Sequence, residues 1–138
     1  MNSDVAAYYS AQHVNDRLPP FRLENIKEGE WPVLKGQNVK AANTRAFVPY
    51  VKALQNRAVS MLRSPKNRHM LKIITGLSGI IDILYGADTF LTSEQLAMLG
   101  THIDLLARHY QKLSTDAFEA GQTLWHTVPK FHFVIALQ

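Results

Sequence analysis

The chain has 138 residues, enough for one ordinary domain, and its apolar fraction of 46% argues against wholesale disorder. It contains no cysteine, which removes disulfides, thiolate metal sites and thiol catalysis. The net charge of +4 conceals an asymmetry: 1–32 holds three basic and five acidic residues, 33–72 nine basic and no acidic ones, and 73–138 three basic and six acidic.

The cationic block between two acidic flanks is expected to meet a polyanion, the acidic parts of its own chain, or an acidic partner. No early basic-then-apolar stretch resembles a secretory signal. The longest apolar region, 71–91, is interrupted by Gly76, Gly79, Asp82 and Asp88. It lacks a run of membrane-spanning length and reads as a buried helix.

In chain order, Ser3 or Asp4 caps a short first helix running to Val14, with Val5, Tyr8, Tyr9 and Gln12 on its docking side. Pro19 and Pro20 stop regular structure, and 21–31 reads as an extended arm or loop. Phe21, Leu23, Ile26 and Trp31 pin the arm to the helices, and Trp31 is also a candidate partner contact.

A second helical pattern begins near Asn38, with Phe47, Tyr50, Val51, Leu54, Ala58, Met61 and Leu62 on one face. Arg45, Lys52 and Arg63 fall almost opposite, with Lys40 and Arg57 at the margins. Pro49 should bend or divide this helix, because it lacks a donor and crowds the carbonyl of Arg45. The basic side is expected to be a solvated surface, a contact for nucleic acid or another polyanion, or a contact for an acidic protein. Aromatics do not interleave with the cations as a stacking platform requires, and Lys35-Gly36 lacks the rest of a phosphate loop.

Ser64-Pro65 opens a third helix over 65–85, with Ser64 as cap. Leu71, Ile74, Leu77, Ile81, Leu84 and Tyr85 make its stripe, widened by Ile73, Ile80 and Ile83. Gly76, Ser78 and Gly79 lower helix propensity and predict close backbone packing. Asp82 reads as a surface residue or the partner of a lysine. Gly86-Ala87-Asp88 then turns the chain, and so short a connection predicts an antiparallel neighbour.

The fourth helix starts at Thr92, whose spacing to Gln95 predicts a capping box. Leu96, Leu99, Ile103, Leu106, Tyr110 and Leu113 share one face, and the pattern can continue through Ala117, Leu124 and Trp125 unless Gly121 breaks it. Pro129 opens a last helix in which Phe131, Val134, Ile135 and Leu137 are apolar. Its greasy final turn reads as cut from a longer protein, covered by another subunit, or packed on its own bundle.

No catalytic constellation has local support. His102 and His109 are two turns apart, about 10.5 Å, which is too far for two ligands of one metal. His126 and His132 flank a loop that His69 or a partner could complete, but zinc needs three or four convergent donors. No metal, cofactor or catalytic residue is assigned.

The sequence therefore predicts an all-α fold: an irregular bundle of four or more helices with an extended N-terminal arm. The expected domains are 1–32, the first helix and arm, and 33–138, a helical domain truncated at its C-terminal end if the chain is a piece of a longer one. The expected function is a non-enzymatic helical interaction or structural subunit of a larger assembly. A basic helical module that binds nucleic acid through 33–72 is the second expectation, and an enzyme the third. Candidate partner-binding residues are Trp31, Arg45, Lys52, Arg63, Phe131, Val134 and Leu137. The partner is another protein or the remainder of the same chain.

Overall fold

The computed structural model describes residues 2–15, 17, 26–27, 33–34, 41–122 and 124–125. The fold is all-α. Its elements are α1 (Asn2–Ala11), β1 (Ile26–Lys27), β2 (Val33–Leu34), α2 (Ala41–Leu62), α3 (Pro65–Gly86) and α4 (Ser93–Glu119). The chain divides into two compact units, Met1–Val51 and Lys52–Gln138, and helix α2 belongs in part to each.

In the first unit, Val5 and Tyr9 of α1 are buried with Tyr50 of α2, and Tyr8, Val14, Phe47 and Val51 pack around them. Tyr8 meets Tyr50 edge-on at 5.4 Å between ring centroids, and Phe47 stacks on Tyr50 at 5.4 Å. Both are favoured aromatic arrangements. The docking side read from the sequence is thus present in Val5, Tyr8 and Tyr9, whereas Gln12 is exposed.

Helix α1 stops three residues short of the expected Val14, for a specific reason. His13 adopts a left-handed φ of 51°, its N–H bonds to the carbonyl of Ser10, and the Val14 N–H reaches back to Tyr9. This is a Schellman closure, and Val14 folding onto the Tyr9 cluster is the apolar contact that accompanies it. Within the expected arm, Ile26–Lys27 pairs antiparallel with Val33–Leu34, so a two-stranded ladder stands where no sheet was expected. The rest of the arm, including Trp31, lies outside the described residues.

Pro49 does not divide α2, which runs through it unbroken. A proline removes one intrahelical hydrogen bond, and the turns on both sides hold the helix together. Val48 is buried although the sequence reading left it off the core face; Met61 and Leu62, placed on that face, are exposed. α2 ends at Arg63, which takes a left-handed φ of 47° and donates its N–H to Val59. Arg63 therefore lies past the helix, and its helical-face placement does not apply.

In the second unit α3 and α4 pack as an antiparallel pair. His69 meets His109, Gly76 meets His102 and Leu106, and Gly79 meets His102, so the partner number falls as the chain advances along α3. Pro65 occupies the first turn of α3, and Ser64 sits at the N-cap without a side-chain cap bond. The Thr92 capping box is complete: the Gln95 N–H donates to Thr92 Oγ1 at 3.1 Å, and the Thr92 N–H to Gln95 Oε1 at 2.8 Å. Along α4, Ile103, Leu113 and Ala117 are buried, and Leu99, Leu106 and Tyr110 are half-buried.

Gly121 ends α4 in a second Schellman closure. At φ 68° it bonds back to Phe118, and Gln122 bonds to Ala117. Only glycine takes this conformation without steric cost, so the position reads as a break. Leu124 and Trp125 accordingly leave the helix, and Trp125 returns to meet Tyr110 edge-on at 5.8 Å. No helix among the described residues is long and apolar enough to cross a membrane. The expected helix after Pro129 lies outside the described residues.

Candidate partner-binding surface

The cationic block continues from the end of α2 into the first two turns of α3. Arg57, Arg63, Lys66, Arg68 and Lys72 are exposed, and Lys52 is half-buried. Every charged residue from 52 to 72 is basic, so no carboxylate nearby in sequence can neutralise them. The two described ion pairs lie on α4 instead. Arg108 Nε stands 2.7 Å from Asp104 Oδ1, and Lys112 Nζ 2.6 Å from Asp116 Oδ1. Both are exposed pairs one helical turn apart, worth a few tenths of a kcal/mol each. They nonetheless engage Asp104 and Asp116, and Asp116 holds the Lys112 ammonium above its ordinary range.

The surface is held by polar contacts between helices. Gln55 of α2 donates to the Asn67 carbonyl of α3 at 3.0 Å. Two residues further on, His69 Nδ1 lies 2.7 Å from His109 Nδ1, with ring centroids 5.0 Å apart. Burial, and then the charges of His69, Lys72 and Arg108, hold the His109 imidazole below its ordinary range. Deeper along the same helix pair, His102 lies over Gly79, and its Nδ1 is buried with no hydrogen bond among the described residues.

Large apolar side chains remain exposed across this unit. Met61 and Leu62 stand at the end of α2, Leu84, Phe90 and Leu96 around the α3–α4 turn, and Phe118 at the end of α4. Phe90 is 85% exposed and Phe118 82%, close to fully solvated. An open cavity of about 150 Å³ lies between Lys66, Leu113, Asp116, Ala117, Gln122 and Trp125. Burial also raises the Tyr110 phenol beyond its usual range, and this ring carries Trp125. Among the described residues, no three histidine or carboxylate groups are placed to hold a metal ion.

Of the candidate residues read from sequence, Arg45, Lys52 and Arg63 are described. Arg45 is half-buried and already engaged in an interaction, Lys52 is half-buried, and Arg63 is exposed at the left-handed end of α2. Phe131, Val134 and Leu137, like Trp31, lie outside the described residues. The sequence reading passed over Lys66, Arg68 and Lys72 individually, although their block was visible as a run without carboxylates. It also missed the pairing of His69 with His109, for which no local pattern exists. No protein-family model, curated protein or solved structure matches this chain.

Proposed function

We propose that this chain is a non-enzymatic helical interaction subunit of a larger protein assembly. The observation that carries the reading is the imbalance, among the described residues of the second unit, between a thin buried core and the exposed Met61, Leu62, Leu84, Phe90, Leu96 and Phe118. Scattered apolar residues are normal on a surface, but Leu84, Phe90 and Leu96 gather around the α3–α4 connection, and such a grouping is the usual composition of a contact. Material purified gently from its native source is expected to show a mass above that of one chain. Replacing Phe90 and Leu96 together with serine should reduce the co-purified partner about tenfold, equivalent to about 1.4 kcal/mol, while helix content is retained. A chain that stays monomeric in that material contradicts the proposal.

A second reading, nucleic-acid binding, is favoured by the exposed cations at the start of α3. If they contact phosphates, affinity should fall steeply with salt. Changing Lys66, Arg68 and Lys72 together to glutamine should reduce the log–log salt slope by about 2.7 if each makes one phosphate contact on duplex DNA. A filter-binding titration without binding at low salt removes this reading.

A further inference from the structure

The contact between His69 and His109 joins α3 to α4 where the hairpin is open, far from the turn that connects the two helices. The paired atoms are both Nδ1, at 2.7 Å. A neutral imidazole carries a proton on one nitrogen and a lone pair on the other, whereas an imidazolium donates from both. The observed distance accommodates one N–H pointing at one lone pair. If both rings carry a proton at Nδ1, two hydrogens compete for the same space and the contact cannot form. The accepting ring must therefore be neutral, and the pair holds a charge of zero or +1 but never +2.

The surroundings oppose that second charge. On α3 the neighbouring ionisable side chains are Lys66, Arg68 and Lys72; on α4 they are Asp104, Arg108, Lys112 and Asp116. The charged residues of α2 in this unit, Lys52 and Arg57, are basic, as is Arg63 just beyond it. Asp104 and Asp116 are already paired with Arg108 and Lys112. The charges that act on His109, those of His69, Lys72 and Arg108, all oppose a second imidazolium ring. A metal ion fits less well than a proton, because a third donor is missing among the described residues and Lys72 and Arg108 repel a cation.

We infer that the His69–His109 pair is a one-proton clasp between α3 and α4, and that uptake of a second proton releases the open end of the hairpin. The inference does not depend on what the chain binds. Its pH range follows from His109, which burial and its cationic neighbours hold below the ordinary value of 6.5. The folded chain takes up this proton less readily than the unfolded one. The stabilisation is therefore complete above about pH 6.5 and is lost as pH falls below it.

Amide hydrogen exchange on the full chain tests the clasp, with rates corrected for intrinsic pH dependence. Between pH 7.5 and pH 5.0, protection of the amides of Met70 to Ile73 and Leu106 to Tyr110 should fall about tenfold, the factor equivalent to about 1.4 kcal/mol. Amides of Gly79 to Ile83, near the turn, should change much less. His69→Gln and His109→Gln each leave a single imidazole in the contact, and each should flatten the difference. Nitrogen-15 shifts of the unmodified protein provide a readout that does not depend on either variant folding. They should show one protonated and one bare Nδ1 at pH 7.5, and two protonated at pH 5.0. Unchanged protection in the unmodified chain, a full pH effect in both glutamine variants, or matching Nδ1 states at pH 7.5 would each overturn the clasp.

Discussion

Replacing Tyr9 with alanine is expected to destabilise the first unit by about 3–5 kcal/mol, by analogy with other aromatic truncations in cores. Tyr9 is 2% exposed and is the largest fully buried side chain among the described residues. Its removal opens a cavity among Val5, Tyr50 and the surrounding Tyr8, Val14, Phe47 and Val51. It also frees Val14 from the contact that accompanies the Schellman end of α1, so the last turn should fray together with the cluster. Urea denaturation followed through the ring resonances of Tyr8 and Tyr50 measures the loss. Tyr9→Phe, which keeps most of the volume, should cost less than about 1.5 kcal/mol. A Tyr9→Ala cost below about 1 kcal/mol, in the range of ordinary substitutions, would refute this assignment of the core.

The second large effect lies where α3 and α4 come closest. A Cβ added at Gly79 would press against the imidazole of His102, far inside van der Waals contact. Gly79→Ala should therefore destabilise the second unit by about 1–3 kcal/mol, the usual range for overpacking. This holds even though alanine is better than glycine in a helix by about 0.8–1.0 kcal/mol. In a His102→Ala background the obstruction is gone, and the same substitution should become stabilising. Gly76→Ala should behave differently. Its Cβ would stand 2.8 Å from the His102 carbonyl oxygen and 3.2 Å from the Leu106 nitrogen, both backbone atoms. Its cost should persist in the His102→Ala background. The two double-mutant cycles, read as unfolding free energies, separate a side-chain obstruction from a backbone one. Equal coupling of both glycines to His102 would refute the distinction.

These elements also mark what the sequence could and could not convey. The Thr92–Gln95 box, proline in the first turn of α3, the close packing at Gly76 and Gly79 and the antiparallel return were legible because each follows from local chemistry. A cap requires a fixed spacing, and glycine within an apolar stripe has few other uses. Helix ends were less legible where the left-handed residue is not glycine. Gly121 offered a break as one of two readings, whereas His13 and Arg63 close their helices with residues that rarely take that conformation. Core membership along α2 was misjudged in part, since periodicity reports which side chains share a face and not whether anything covers it. Met61 and Leu62 continue the apolar pattern but remain exposed. The His69–His109 contact joins residues forty apart, and the identity of neither residue points to the other.

The order of contacts along the α3–α4 pair also sets a folding sequence. Gly79 and His102 are much nearer in the chain than His69 and His109, and the capped turn at Thr92 lies between the members of both pairs. Closing the shorter loop costs less chain entropy, so the hairpin should zip from the turn outward, with the histidines last to meet. By the same reasoning they are the first to part when the pair frays. A proton-sensitive contact at that position acts on the final step of assembly and leaves the early, glycine-packed part of the hairpin unaffected.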